Sequence, residues 1–215
     1  FDAIAGNAGV IRVSNLDDVI EAAEYFLHAP LPNGNGVGAI TFSGGLRGLL
    51  LDQAEANNLS FPPLAAKTKR RLGELLGVGS IIGNPLDSGF AALNSEEIYI
   101  NCVKAMLDDP GIHTLMLQEE IPRAPGAERK VEYIRAVNAL AVKFKKPITY
   151  VTMISHSMNE YSRDIRNGFR NVAFLQEADK ALRAVRAVTT YAERCAVKKS
   201  TGPKTTAQPL PTAVF

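Results

Sequence analysis

Four short apolar runs, each followed by a segment of helical periodicity, constrain this chain more than any other feature of its sequence. They occupy residues 37–42, 113–117, 148–154 and 172–175, and none alternates strictly between polar and apolar residues. Such runs suit strands buried on both faces, and the helical segments after them suit right-handed crossovers. A shorter run at residues 80–82 adds a further strand, ahead of a Gly83-Asn84-Pro85-Leu86-Asp87-Ser88-Gly89 turn. The expected architecture is a three-layer α/β domain with a mostly parallel sheet flanked by helices.

The helical segments have readable ends. Ser14 or Asn15 caps a helix in which Leu16, Val19, Ile20, Ala23, Phe26 and Leu27 recur at helical spacing, before Pro30, Pro32 and Asn33-Gly34-Asn35-Gly36 end it. Further helices are expected at about 45–56, stopped by Asn57-Asn58, and from Pro62-Pro63 to 76. Others follow at about 94–107, 125–145, 158–167 and 177–194. Lys143, Lys145 and Lys146 complement the negative end of the long 125–145 helix. Residues 10–13, Val-Ile-Arg-Val, read as a short strand. The chain then divides into a tail of a preceding domain with a connecting helix (1–29), a linker (30–36), the main domain (37–195) and a flexible linker or tail (196–215).

A length of 215 residues with 46% apolar and 21% charged residues fits one such domain with an appendage. No run approaches the ~20 apolar residues of a membrane span. The N-terminus lacks the basic-then-apolar order of a signal peptide, so a cytoplasmic protein without a membrane partner is expected. Cys102 and Cys195 lie far apart, outside any CxxC or Cys/His spacing, which argues against a disulfide framework or a metal site. The formal charge of +2 includes Lys198, Lys199 and Lys204 in an acid-free tail; setting them aside leaves 21 basic against 22 acidic residues. A near-neutral body without a basic stripe interleaved with aromatics argues against nucleic-acid binding.

In an open parallel sheet, ligands bind outside the carboxyl ends of the strands, so the strand-to-helix loops form the candidate site. Thr41-Phe42-Ser43-Gly44-Gly45 is the strongest of them. Its glycines either let a ligand approach exposed amides at a helix start, which favour phosphate or carboxylate, or simply let the helix pack closely on the sheet. Ser43 offers a hydroxyl, and Arg47 is either a phosphate clamp or a solvated cation. Asn84 and Asp87 either orient a ligand or a neighbouring loop, or supply ordinary turn chemistry. His156, between Ser155 and Ser157 at the same edge, bonds a phosphate, shuttles a proton, or is simply a polar loop residue. His28 and His113 fit dipole and packing roles, and no nucleophile elbow, P-loop or GxGxxG is present.

The order of three motifs carries a resemblance: Gly9-Val10-Ile11-Arg12-Val13, Ala39-Ile40-Thr41-Phe42-Ser43-Gly44-Gly45 and Gly83-Asn84-Pro85-Leu86-Asp87. Together they resemble the CoA-ligase domain of NDP-forming acyl-CoA synthetases of the ADP-forming acetate–CoA ligase type, a family related to succinyl-CoA synthetase. The resemblance covers about residues 1 to 195 and implies a flavodoxin-like domain. It implies that acyl-CoA forms from a carboxylate, CoA and NTP through acyl-phosphate and phosphohistidine intermediates. The implied partners are CoA-binding, phosphohistidine-bearing and ATP-grasp domains in a homo-oligomeric enzyme, with CoA and ATP or ADP with Mg bound mainly by those other domains.

In that family the phosphorylated histidine lies in a His-Thr-Gly segment just upstream of the Gly9-to-Val13 match. None of His28, His113 or His156 occupies such a motif, so the chain reads as a fragment that begins just after the phosphorylated loop and is inactive in isolation. Succinyl-CoA synthetase offers helix N-termini to phosphate and carboxylate groups in the equivalent domain, and Ser43-Gly44-Gly45 resembles one of them. At a second such loop, glycine-rich in that enzyme, this chain reads Gln118-Glu119-Glu120-Ile121-Pro122, whose two carboxylates near a helix start would oppose a phosphate.

Three functions are therefore open at this level. A ligase fragment with anion-binding loops leads. A non-catalytic domain packing against a sister flavodoxin-like domain is the alternative. A flavin-binding electron carrier is disfavoured, because the chain has no Trp and its turn lacks a hydroxyl-rich phosphate loop.

Overall fold

The computed structural model describes residues 2–155 and 157–201. In chain order the elements are α1 (Asp2–Asn7), α2 (Leu16–His28), β1 (Val37–Thr41), α3 (Gly44–Ala56), α4 (Ala66–Leu75), β2 (Leu86–Asp87), α5 (Gly89–Asn94), α6 (Glu96–Asp108), β3 (Thr114–Gln118), α7 (Glu128–Phe144), β4 (Ile148–Thr152), α8 (Glu160–Asn167), β5 (Val172–Gln176) and α9 (Ala178–Thr201). The strands form one all-parallel sheet in the order β2-β1-β3-β4-β5. This is the flavodoxin-like order, in which the winding direction reverses between β1 and β3.

Side chains leave each strand alternately to the two faces. Ile40, Leu115, Leu117, Tyr150 and Phe174 join one core with Leu72 of α4, Met106 of α6 and Val137 of α7. Ala39, Met116, Val151 and Leu175 join a second core with Tyr25 of α2, Leu50 of α3 and Leu182 of α9. Among the described residues, no helix is long and apolar enough to cross a membrane.

Asn15 caps α2 by accepting the Asp18 N–H at 2.8 Å. The face α2 buries is not its apolar stripe, however. Asp18, Glu21, Ala22, Glu24 and Tyr25 are buried, whereas Leu16, Val19, Ile20 and Leu27 are exposed. The reason lies in β5, the last strand of the sheet, whose outer N–H groups have no strand to receive them. Phe174 donates to Glu24 Oε1 at 3.2 Å and Gln176 to Glu21 Oε2 at 2.9 Å. Glu24 also pairs with Arg166 at 3.3 Å, and Asp18 with Arg183 at 2.8 Å. Residues 16–28, the expected connecting helix, thus pack against β5, α8 and α9 of the α/β body.

Burial pushes the Glu21 carboxyl up to about 7 from the ordinary 4.5, against the opposing pull of the Gln176 N–H. Between those values the folded chain holds a proton that the unfolded chain has released. Stability from this group therefore falls as pH rises through the window, and the penalty is complete above pH 7. Glu21→Gln keeps an acceptor oxygen and removes the charge. It is expected to stabilise the fold by about 1 kcal/mol near pH 8, after discounting for solvent screening, and by little near pH 5. Urea denaturation of both proteins at the two pH values measures this.

Elsewhere the structure departs from expectation at several places; α4, for one, begins at Ala66 and not at Pro62. Residues 10–13 form no strand: the Val10 N–H closes α1 on the Ala5 carbonyl at 2.9 Å, Gly9 turns the chain at φ 80°, and α2 already covers the β5 edge. Residues 80–82 supply only one antiparallel bridge, Ile81 to Asp87; the strand in the sheet is Leu86–Asp87, inside the segment read as a turn. Pro85 immediately before it has no N–H to extend the ladder. Lys146 serves a neighbouring helix rather than its own, donating to the Leu107 and Asp109 carbonyls at 2.6 and 2.9 Å at the end of α6. Finally, α9 runs on to Thr201, into the segment expected to be a flexible tail; residues 195–201 contain no Gly or Pro to break it.

Candidate functional site

The turn after β1 sits at the winding reversal of the sheet. Ser43 is the residue before α3, with extended backbone (φ −150°, ψ 129°), and its hydroxyl makes no capping bond. Ser43, Gly44 and Gly45 are all exposed. A helix start without a cap presents unpaired N–H groups and the positive end of the helix dipole. Close packing on the sheet does not explain the glycines. A Cβ on Gly45 would approach only the Ser43 hydroxyl, at 3.7 Å, and one on Gly48 would meet nothing within 4 Å. Their effect is to leave the amides uncovered.

The turn is anchored from behind. Thr41 donates its hydroxyl to Gln118 Oε1, and the Phe42 N–H reaches the same oxygen at 3.4 Å, tying the ends of β1 and β3 together. Ser88 gives both its N–H and its hydroxyl to the Thr41 carbonyl, at 2.9 and 3.1 Å. Asp87 is buried; its Oδ1 accepts the Gly89 N–H at 3.1 Å. Its Oδ2 lies 3.4 Å from where a Cβ would stand on Gly44. Asp87 therefore orients the neighbouring loop and places a carboxylate beside the helix start. Arg47 donates from Nε to the Pro85 carbonyl at 2.9 Å, so its guanidinium grips the 83–85 loop one turn into α3.

Asn84 is not brought to this turn. Its Oδ1 accepts the Ala39 N–H at 3.1 Å, and its Nδ2 donates to the Val37 and Pro62 carbonyls at 2.8 and 2.9 Å. It completes the outer edge of β1 where the two-residue β2 is too short to do so. Asn84→Ala is expected to lower stability by about 2–3 kcal/mol, since it leaves buried backbone groups unpaired, without changing phosphate binding at Ser43–Gly45. Thermal unfolding and phosphate titration of the same sample separate the two effects. His156 lies outside the described residues.

Beside the turn, at the same edge, opens a cavity of about 540 Å³ lined by Phe42, Gln118, Glu119, Lys130, Tyr133 and Met153, among others. Lys130 pairs with Glu119 at 2.6 Å, and the Glu119 N–H is fixed to the Val151 carbonyl at 3.1 Å. Arg129 lies over the Tyr133 ring, 5.6 Å from its centre. Behind this wall, burial first and then Glu119 hold the Tyr99 hydroxyl well above its ordinary range. The two carboxylates expected beside a helix start do not stand there. α7 begins only at Glu128, Glu119 is matched by Lys130, and Glu120 is exposed with its N–H on Glu119. Among the described residues, no three His, Cys, Asp or Glu side chains gather as a metal site. Burial pushes the Cys102 thiol up to about 12, which fits a packing role.

No protein-family model matches the chain. Over 173 residues it is 28% identical to the alpha subunit of acetate–CoA ligase [ADP-forming] II from Pyrococcus furiosus, covering 78% of this chain and 36% of that subunit. It is 22% identical over 202 residues to acetate–CoA ligase [ADP-forming] II from Archaeoglobus fulgidus, covering 90% of this chain and 28% of that protein. The chain is similar over most of its length to ADP-forming acetate–CoA ligases.

It spans about a third of the length of these ligases. Two solved structures share the fold. PH0766 from Pyrococcus horikoshii OT3 superposes with a TM-score of 0.72 at 22% identity, over 90% of this chain and 43% of that one. The dinucleotide-forming acetyl-coenzyme A synthetase 1 of Ca. Korarchaeum cryptofilum, solved with phosphate and ADP, superposes at 0.71 and 16% identity, over 93% of this chain and 42% of that one. Of the motif residues, Ser43, Gly44, Gly45, Arg47 and Asp87 cluster around the α3 start, and Asn84 stands apart. Of the cavity residues, sequence reasoning reached Gln118 and Glu119 only as part of the 118–122 loop and passed over Lys130 and Tyr133. The signal for Gln118 was present: a polar residue directly after the apolar run at 113–117.

Proposed function

We propose that this chain is the flavodoxin-like part of an NDP-forming acyl-CoA synthetase and that it holds the phosphoryl or acyl-phosphate group passed between the enzyme's other domains. The observation that carries this reading is the exposed, uncapped start of α3 at the winding reversal of the sheet, beside a large cavity. The amides of Gly44, Gly45 and Leu46 would receive phosphoryl oxygens, the Ser43 hydroxyl would add a donor, and Arg47 would keep the 83–85 loop in place. Stabilising negative charge on the transferring group at this dipole lowers the barrier to attack by a thiol or a carboxylate.

The supporting relatives are named as ADP-forming acetate–CoA ligases, and this chain covers about a third of each. In this reading the CoA-binding, phosphohistidine-bearing and ATP-grasp domains act with it in a cytoplasmic, homo-oligomeric enzyme that binds a nucleotide and CoA elsewhere. Titration calorimetry with inorganic phosphate, and ligation assayed after supplying the missing domains, tests it. Saturable phosphate binding that depends on Ser43 and Gly44 is the expected result; no binding and no dependence of ligation on either residue refutes it.

A second reading has its own observation. Val78, Ile81, Phe90 and Leu93 are exposed apolar side chains on the 77–82 loop and α5, next to the turn. A surface of this kind suits packing against a sister domain, with the turn only shaping the contact. Loss of domain association on Phe90→Asp, in a chain that shows no saturable phosphate binding, would favour it.

A further inference from the structure

A second concavity, of about 340 Å³, lies along α9 between the end of α3 and residues 11–14. Helical spacing sets Arg186, Thr190 and Arg194 in one row along α9, and all three line this groove together with Arg183. Asp18 is the carboxylate in the lining, and both its oxygens are engaged. Oδ1 receives Arg183 Nε at 2.8 Å, and Oδ2 receives the Ser14 N–H at 3.3 Å. Arg183 additionally bonds Asp179, so its charge is matched. Among the described residues, Arg186 and Arg194 enter no ion pair. Two guanidinium groups therefore face one cavity whose carboxylate is already engaged. Tyr191 and Val13 supply an apolar wall beside them.

From this arrangement we infer that the groove along α9 binds a phosphate-bearing small molecule, its phosphate groups on Arg186 and Arg194 and its organic part against Tyr191. Guanidinium groups suit this because each offers paired donors that match two phosphate oxygens. A lysine row would give only point charges. The Thr190 hydroxyl, between the two arginines on the same row, adds a neutral donor. The site is formed by α9, residues 11–14, Asp18 and the C-terminal end of α3 at residues 56–58, and so is separate from the α3 start.

The test is a residue-resolved NMR titration of the whole chain with inorganic pyrophosphate. The expected result is saturable shifts in the amides of residues 186–194 and 11–14. The double variant Arg186→Glu with Arg194→Glu should weaken binding by roughly a hundredfold, about tenfold for each arginine. Both side chains are exposed, and an unchanged circular-dichroism spectrum would certify the fold. Arg186→Lys with Arg194→Lys should keep the fold and the charge yet bind more weakly than the natural chain. The inference is overturned by no saturable shift, by equal binding in the Glu variant, or by shifts scattered over the exposed Lys67, Lys69 and Arg70. Shifts confined to Ser43–Leu46 would overturn it while supporting the α3 reading.

Discussion

A Gly45→Asp substitution is expected to leave the fold intact while lowering phosphate affinity at the α3 start, and any ligation that depends on it, by about a hundredfold. Two properties of the position separate these effects. Its backbone is not in the left-handed region, and a Cβ there would meet only the Ser43 hydroxyl at 3.7 Å, so an aspartate enters without strain. A carboxylate in the first turn of a helix also opposes the dipole favourably, which adds a few tenths of a kcal/mol of stability. The same charge stands where an incoming anion would have to stand. A variant at least as stable as the natural chain but unable to bind phosphate is the predicted outcome, read by urea denaturation and calorimetry together. Unchanged phosphate affinity in a folded variant would remove the α3 start from consideration.

Gly36→Ala is expected to have the largest effect on stability, about 3 kcal/mol or more, because an added Cβ would stand 1.8 Å from the Gly111 carbonyl oxygen. That atom belongs to a backbone, so no rotamer change relieves the overlap. The Gly36 carbonyl also accepts the N–H groups of His113 and Thr114, at 2.7 and 3.1 Å, at the start of β3. The residue thereby sets the register of β1 against β3. Failure of the variant to unfold at lower urea than the natural chain would contradict this. Residues 33–36 look like a flexible linker in sequence because Asn and Gly dominate; in the structure the last of these glycines is a tight joint.

The strands β1, β3, β4 and β5 were legible because a strand buried on both faces is written as a continuous apolar run. β2 was not, since its two residues sit between a proline and a Ser-Gly pair and read as a turn. The orientation of α2 was hidden for a different reason. Periodicity locates an apolar stripe, but it does not tell which face a sheet edge will require, and here the edge needs acceptors. The α3 start was legible from Ser43-Gly44-Gly45, because exposed amides need only glycine and position. Its neighbouring cavity was not, because Phe42, Gln118, Lys130 and Tyr133 are gathered by the sheet order and not by spacing along the chain. Asn84 shows the converse: a polar residue in a plausible loop whose hydrogen bonds all serve the backbone.

The seal that α2 places on β5 also decides where the chain can be cut. A shortened chain starting at residue 30, the boundary that composition suggests, would lose Glu21 and Glu24 and uncover the outer N–H groups of Phe174 and Gln176. It would also lose Tyr25, which is fully buried and whose hydroxyl meets Thr114 at 3.3 Å, opening a hole in the second core. An unsealed, mostly apolar strand is a template for other chains. Such a truncation should accumulate as insoluble, cross-β-like material on expression. A chain that retains residue 16 onward should stay dispersed, so the first thirteen-residue helix after the α1 turn is the solubility determinant of the domain.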